Sequence, residues 1–270
     1  MGHDRNVLFC GAVPENYDRY LGPVIFEPWA EDLVLRLAAR KYERVLEIAC
    51  GTGFVTRRLR DAFPVTTEIV ASDLNPDMFE FAKSKFRKGE NVMWQQADAS
   101  ALPFPKCSFD AAVCQFGVMF VPDKAAAMRE SYRVLRSGGV FLFNVWDSFE
   151  ANPFGQIAHA TIASFFNHDP PSFYKIPFGF HESTVIQNLL RDAGFDKIES
   201  FAETKPCRSG SAREFATGLV RGNPVAAEAT ERGVNPEDLI DAIAKRISEC
   251  FGDAPVESTM RAIVWQAMKF

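Results

Sequence analysis

Five short apolar runs, spaced by turns and helical periodicities, organise the first half of the chain. Residues 45–48 (Val-Leu-Glu-Ile) form the first, a mostly apolar run that reads as a buried strand. Small residues then fall at every second position, Ala49, Gly51 and Gly53, and from Phe54 to about residue 62 the pattern is helical. Residues 68–73 form the second run and end in a carboxylate, Asp73. Asn75-Pro76 supplies an N-cap and a first-turn proline, with Met78, Phe79, Ala82 and Phe86 following at helical spacing. Residues 91–97 read as a third strand ending at Asp98, and a turn-rich loop at 102–105 precedes a fourth at 109–115. A helix over about 124–135 is expected to stop at Ser137-Gly138-Gly139, and a fifth strand to occupy 140–145. Upstream, residues 1–14 read as irregular and 16–39 end in an amphipathic helix. Strands alternating with helices at this spacing predict a parallel, doubly wound sheet.

The alternation fails after Trp146. Residues 147–180 carry clustered phenylalanines (149, 154, 165, 166, 173, 178 and 180) among prolines, with His159 and His168 inside and His181 at the edge. A helix over 184–193 stopped by Gly194, a strand over 195–201, a second irregular stretch over 203–255 and a last strand over 262–270 complete the reading. Within the second stretch, Asn235-Pro236 starts a helix.

Composition narrows the function. The chain has 270 residues, 47% of them hydrophobic, and a net charge of −5, which disfavours non-specific binding to nucleic acid phosphates. No run of about 18 apolar residues occurs, so no stable membrane insertion is expected. The six cysteines lie far apart with no CxxC, which reads as reduced thiols in the cytoplasm and gives no metal site. The 25 phenylalanines allow either a Phe-rich core or an aromatic-lined pocket.

Candidate chemistry sits at strand ends, where open α/β sheets bind ligands. The small-residue turn lets a ligand approach the backbone and meet the first N–H groups of a helix. Asp73 can accept both hydroxyls of a ribose, Asp98 an adenine amino hydrogen, and Gln115-Phe116-Gly117 follows the fourth strand. An isolated Asp at such a place caps a helix or a turn just as well. Asn75, however, already supplies a cap beside Asp73.

Glu47-Ile-Ala-Cys-Gly51-Thr-Gly53, Asp73, Asp98-Ala99, Phe109-Asp110 and Leu135-Arg-Ser-Gly138-Gly139 form an ordered set that resembles the class I S-adenosylmethionine-dependent methyltransferases. Within that class it is most similar to the small-molecule group that includes the ubiquinone/menaquinone-biosynthesis enzymes. The chain departs from the usual turn at Ala49, where the family has its first glycine. The resemblance implies a seven-stranded, doubly wound, mostly parallel α/β sheet with a Rossmann-like methyltransferase fold and a helical cap formed by insertions. The implied organisation is an N-terminal segment and cofactor-binding core over 1–146, a cap insertion over 147–180, a core helix and strand over 181–202, a second cap insertion over 203–255 and a final strand over 256–270.

It also implies S-adenosylmethionine as cofactor and a small, partly apolar or aromatic methyl acceptor. Glu47 would sit near the methionine ammonium. Ala49, Cys50, Gly51 and Gly53 would form the turn beneath the methionine and ribose. Asp73 would hold the ribose, Leu74 and Met78 would flank the adenine, and Asp98 with the Ala99 N–H would meet its edge. Gln115 and Phe116 would line the sulfonium side, and Tyr17, Tyr20 and Trp29 would close over the cofactor. In-line methyl transfer needs chiefly positioning, worth roughly 7–11 kcal/mol, so no catalytic dyad is required. His159, His181 and Tyr174 are the candidates should a base take part. A silent cofactor-binding protein and an NAD-dependent oxidoreductase are the alternatives. The second lacks G-x-G-x-x-G, with Thr56 where the third glycine would fall. Oligomeric state is left open, with a homodimer as one option.

Overall fold

The computed structural model describes residues 9–270. In chain order its main elements are α1 (Val13–Asn16), a π-helix (Tyr17–Phe26), α2 (Glu27–Leu37), β1 (Arg44–Ile48), α3 (Phe54–Ala62), β2 (Glu68–Asp73), α4 (Pro76–Ser84), β3 (Val92–Gln96), β4 (Phe109–Gln115), α5 (Lys124–Val134), β5 (Leu135–Trp146), α6 (Pro153–Ala163), α7 (Ser183–Ala193), β6 (Lys197–Ser209), α8 (Ala212–Arg221), α9 (Val225–Glu231), α10 (Pro236–Phe251) and β7 (Val256–Met268). The strands form one sheet in the order β3-β2-β1-β4-β5-β7-β6. The first five are parallel, and β7 runs antiparallel to both neighbours. This is the expected seven-stranded, mostly parallel sheet. Central β1, β2 and β4 are buried almost throughout, as strands covered by helices on both faces must be.

Four local readings are corrected. Of the stretch 1–14, residues 1–8 lie outside the described residues, and α1 begins at Val13. The segment read as running into an ordinary helix begins with ten residues of π-helix, with Pro23 inside it. Its wider i→i+5 turn keeps Tyr17, Leu21 and Phe26 on one face. The Gly138-Gly139 pair is no helix stop. α5 ends at Val134, Leu135 already pairs with Phe109, and the glycines bend the strand where they meet Lys269 of the C-terminal end. β6 and β7 are longer than expected and pair residue for residue from Lys197↔Met268 to Ser209↔Val256, so the sheet runs into the stretch read as irregular.

The stretch after Trp146 folds into α6 and a short 3₁₀ turn at Phe173–Lys175, while α8, α9 and α10 fill the connection between β6 and β7. α10 packs on α6 and α8, and α8 packs on the π-helix. The π-helix, α6, the 3₁₀ turn and α8 each contribute side chains to the cavity at the C-terminal ends of the strands. Among the described residues no helix is long and apolar enough to cross a membrane, and no group of three or more His, Cys, Asp or Glu side chains could hold a metal ion.

Candidate active site

The C-terminal ends of β1 to β4 lie side by side. Ile48 registers with Ser72, Asp73 with Gln96, and Glu47 with Val113. The strand order reverses between β1 and β4, which leaves a crevice at the rim. A cavity of about 460 Å³ occupies it, a size ordinary for a small-molecule site. Tyr17, Ala49, Gly51, Asp73, Leu74, Met78, Asp98, Ala99, Gln115 and Phe116 all line it. A second space of about 20 Å³ adjoins it, bounded by Glu47, Cys50 and Thr52 and sharing Tyr17, Ala49, Gly51 and Gln115 with the first.

The turn after β1 is braced by the end of β2. The Cys50 N–H donates to the Ser72 carbonyl at 2.9 Å, and the Gly51 N–H to Asp73 Oδ2 at 2.8 Å. Asp73 is buried, and its other oxygen accepts the Asn75 N–H at 2.9 Å. Asn75 makes no side-chain capping bond, so Asp73, not Asn75, steadies the entry to α4. Burial raises the Asp73 pKa, opposed by these backbone N–H bonds.

Ala49 takes φ +55°, a left-handed conformation that costs a non-glycine residue roughly 1–2 kcal/mol. Its methyl group has room because position 117 is glycine. A Cβ there would overlap Ala49 Cβ and lie 2.8 Å from Cys114 Sγ. Gly117→Ala is therefore expected to destabilise the fold by about 1–3 kcal/mol, an overpacking cost. Ala49→Gly should restore part of the loss in a double-mutant cycle followed by denaturant unfolding. Additive effects would show that the two positions are not coupled.

Glu47 is buried and accepts the Thr56 hydroxyl at 2.5 Å. Burial pushes its carboxyl up to about 8, with the Thr56 bond opposing and neighbouring Asp73 adding. Burial likewise raises the Cys50 thiol well above its ordinary value, followed by Asp73 and Glu47. Asp98 is exposed and uses one oxygen on the Ser100 N–H and hydroxyl, at 2.8 and 2.7 Å. Leu74, an exposed leucine at the cavity mouth, and buried Met78 offer apolar surface on the same side.

Residues 46–143 match the family described as "Methyltransferase domain". The ubiquinone/menaquinone biosynthesis C-methyltransferase UbiE of Francisella philomiragia is 32% identical over 189 residues, covering 63% of this chain and 74% of that one. UbiE of Pectobacterium carotovorum is 30% identical over 190 residues, covering 64% and 74%. The chain belongs to the class I S-adenosylmethionine-dependent methyltransferases. Solved structures agree on the fold. Bacillus subtilis YcgJ superposes with TM-score 0.61 at 21% identity, covering 90% of this chain and 98% of that one. Haemonchus contortus phosphoethanolamine N-methyltransferase 2, in complex with S-adenosyl-L-methionine, does so at 0.61 and 16%, covering 100% and 60%.

The cofactor of this methyltransferase is S-adenosylmethionine, and the residues present fit it. Gln115 Oε1 and Thr52 Oγ1 are buried without a protein hydrogen-bond partner, and both residues bound the smaller space beside Glu47. Unpartnered oxygens and a buried carboxyl that can give up its proton suit the arrival of a cationic group. Asp73 and Asp98 present acceptors to the larger cavity.

Five expected cofactor residues stand off the main cavity. Glu47 and Cys50 bound only the smaller space. Gly53 heads α3, where an added Cβ would meet Ala82 Cβ at 3.0 Å. Trp29 is fully buried core. Its Nε1 donates to Met260 Sδ at 3.3 Å, and its ring packs edge-on to Phe116 and Trp146. Tyr20 packs toward Gly218 of α8, with Arg19 over its ring. Only Tyr17 of the expected cover residues reaches the cavity, its ring stacked on Phe26 at 4.4 Å.

The base candidates fare similarly. His159 stacks on Phe149 away from the cavity, and burial, then Lys175, lowers its pKa. His181 turns Nδ1 to the Phe178 carbonyl, and His168 is exposed. Tyr174 does line the cavity, but its hydroxyl donates to the Leu219 carbonyl at 2.5 Å and burial raises its pKa. The sequence reading overlooked Phe9, Phe120, Trp146, Leu219 and Asn223, which line the cavity with Phe154, Phe173 and Phe178. Phe116 lies flat on Trp146 at 3.9 Å, and both line the cavity. The one available signal was the Phe-rich stretch itself, since Trp146 only looked like the end of a strand.

Proposed function

We propose that this methyltransferase modifies a flat, apolar aromatic acceptor of the quinol type. The observation behind the proposal is the continuity of one cavity, from the acidic rim at Asp73 and Asp98 to a chamber of Phe120, Trp146, Phe154, Phe173 and Phe178. The UbiE relatives, ubiquinone/menaquinone biosynthesis C-methyltransferases by name, point the same way.

When bound, S-adenosylmethionine supplies a methyl group on a positively charged sulfur. In this reading Asp73 accepts the ribose hydroxyls, and Asp98 the adenine amino group. The Ala99 N–H meets a ring nitrogen, and Leu74 and Met78 flank the base. Glu47 receives the methionine ammonium, and the Ala49–Gly53 turn passes beneath. Tyr17 covers the cofactor, and Phe116 on Trp146 offers an aromatic face to the sulfonium, worth about 0.5–2 kcal/mol. Aromatic walls keep water from the reacting centre.

The titratable side chains among the described residues lining the cavity are Tyr17, Asp73, Asp98 and Tyr174. Burial raises both tyrosines, with Asp73 adding to the effect at Tyr17. Asp73 and Asp98 stand at the cofactor end. The acceptor chamber thus offers no base, and the acceptor brings its own nucleophilicity, as an electron-rich hydroquinone ring does. Six free thiols, three of them exposed, support a reducing compartment such as the cytoplasm.

Titration calorimetry with S-adenosylmethionine, followed by mass spectrometry of candidate acceptors, tests the proposal. Transfer to a hydroquinone bearing a short isoprenoid tail, and not to a small hydrophilic amine, is the expected outcome. The reverse preference would overturn it.

A further inference from the structure

We infer that Gln115 is the residue by which this enzyme prefers its charged methyl donor to the uncharged product. The inference rests on the cofactor placement proposed above.

Gln115 ends β4, and its Nε2 donates to the carbonyl of Phe26, the last residue of the π-helix, at 3.3 Å. That bond fixes the amide: turned over, it would set one carbonyl oxygen against another. Oε1 therefore points elsewhere, and it is buried without a protein partner. Such an oxygen has lost its water and gained nothing, a cost relieved only when a donor or a positive charge arrives.

The position says which charge. Tyr17, Ala49, Gly51 and Gln115 bound both the larger cavity and the smaller space holding Glu47. A ligand with its ribose at Asp73 and its ammonium at Glu47 crosses between the two at these four residues. Ala49 and Gly51 have no polar side chain, and Tyr17 is a phenol whose ionisation burial opposes. Gln115 lines both spaces, and its carbonyl is a buried acceptor without a protein partner.

The two forms of the cofactor differ there. Transfer breaks the sulfur–methyl bond and leaves its electron pair on sulfur, while a lone pair or π-pair of the acceptor makes the new bond to carbon. Charge on sulfur falls from plus one to zero. The ammonium and the adenosine are unchanged. Gln115 Oε1 consequently stabilises S-adenosylmethionine and not S-adenosylhomocysteine, whereas Glu47 and Asp73 serve both. This favours exchange of spent cofactor after each turnover.

Calorimetric titration of wild type, Gln115→Leu and Gln115→Met with S-adenosylmethionine and separately with S-adenosylhomocysteine tests the inference. Loss of an interaction with a charged group is expected to raise the donor's Kd by about tenfold to a hundredfold while the product's Kd stays within about twofold. Glu47→Gln is the internal control and should weaken both ligands by one common factor. Equal weakening of donor and product by the Gln115 substitutions would overturn the inference and reduce Gln115 to a tie for the π-helix. Unchanged affinity for both would overturn it as well. The methionine variant keeps the side chain's length and serves if the leucine variant does not fold. Wild-type protein that binds neither ligand would defeat the cofactor placement itself, an outcome distinct from these.

Discussion

Replacing Asp73 by asparagine is expected to lower S-adenosylmethionine affinity by at least about a hundredfold, since two hydrogen bonds to a charged acceptor are worth about 1.5–3 kcal/mol each. The same substitution should destabilise the protein without ligand. The carboxylate braces the turn and α4 through the Gly51 and Asn75 N–H groups, at 2.8 and 2.9 Å. An amide keeps one acceptor and turns an NH₂ toward the other N–H. A buried donor left unpaired costs about 1–3 kcal/mol, or a fall in melting temperature of roughly 2–10 °C for a chain of this size. Calorimetry and thermal unfolding on one preparation read both effects. Wild-type affinity in a destabilised variant would leave Asp73 a purely structural brace.

That double duty explains how far the sequence could be read. The rim was legible because its parts are local: an apolar run, a turn of small residues, and a carboxylate directly after the next apolar run. Strand pairing then brought Asp73, Asp98 and Gly51 to one cavity without further instruction. What sequence could not supply was direction. Tyr17, Tyr20 and Trp29 look alike as cover residues. The π-helix rotates Tyr17 inward and leaves Tyr20 against α8, and Trp29 falls on α2 facing the core. A reading at 3.6 residues per turn does not register that rotation. The β6–β7 ribbon was cut short for a related reason. β6 is an edge strand whose residues 199–206 are mostly exposed, so no apolar alternation marks it beyond Phe201. Ala49 is the instructive departure. An alanine stands where glycine is usual and takes φ +55°, and the space for its methyl comes from Gly117, 68 positions further on and on another strand end.

Cofactor affinity is expected to rise with pH between 6 and about 8, because of Glu47. In the free protein, burial holds this carboxyl's pKa at about 8, so it is neutral at pH 7. A bound ammonium favours the carboxylate, so binding below pH 8 expels a proton. A fully linked proton changes affinity by up to about tenfold per pH unit. Above about 8 the ligand's own amino group begins to lose its proton, as α-amino groups do, and the rise stops. Stability of the free protein runs the other way. The folded-state pKa lies above the ordinary value of 4.5, so the contribution is full below 4.5, declines as pH climbs, and is gone above about 8. Glu47→Gln keeps an oxygen for the Thr56 hydroxyl and removes the titration. That variant should be more stable than wild type without ligand at pH 8, with no slope from this site. It should bind the cofactor about tenfold to a hundredfold more weakly there, and its affinity should not vary between pH 6 and 8. Calorimetry in two buffers of different ionisation enthalpy counts the proton directly. Wild-type binding that is flat from pH 6 to 8, with no proton released, would place the ammonium away from Glu47.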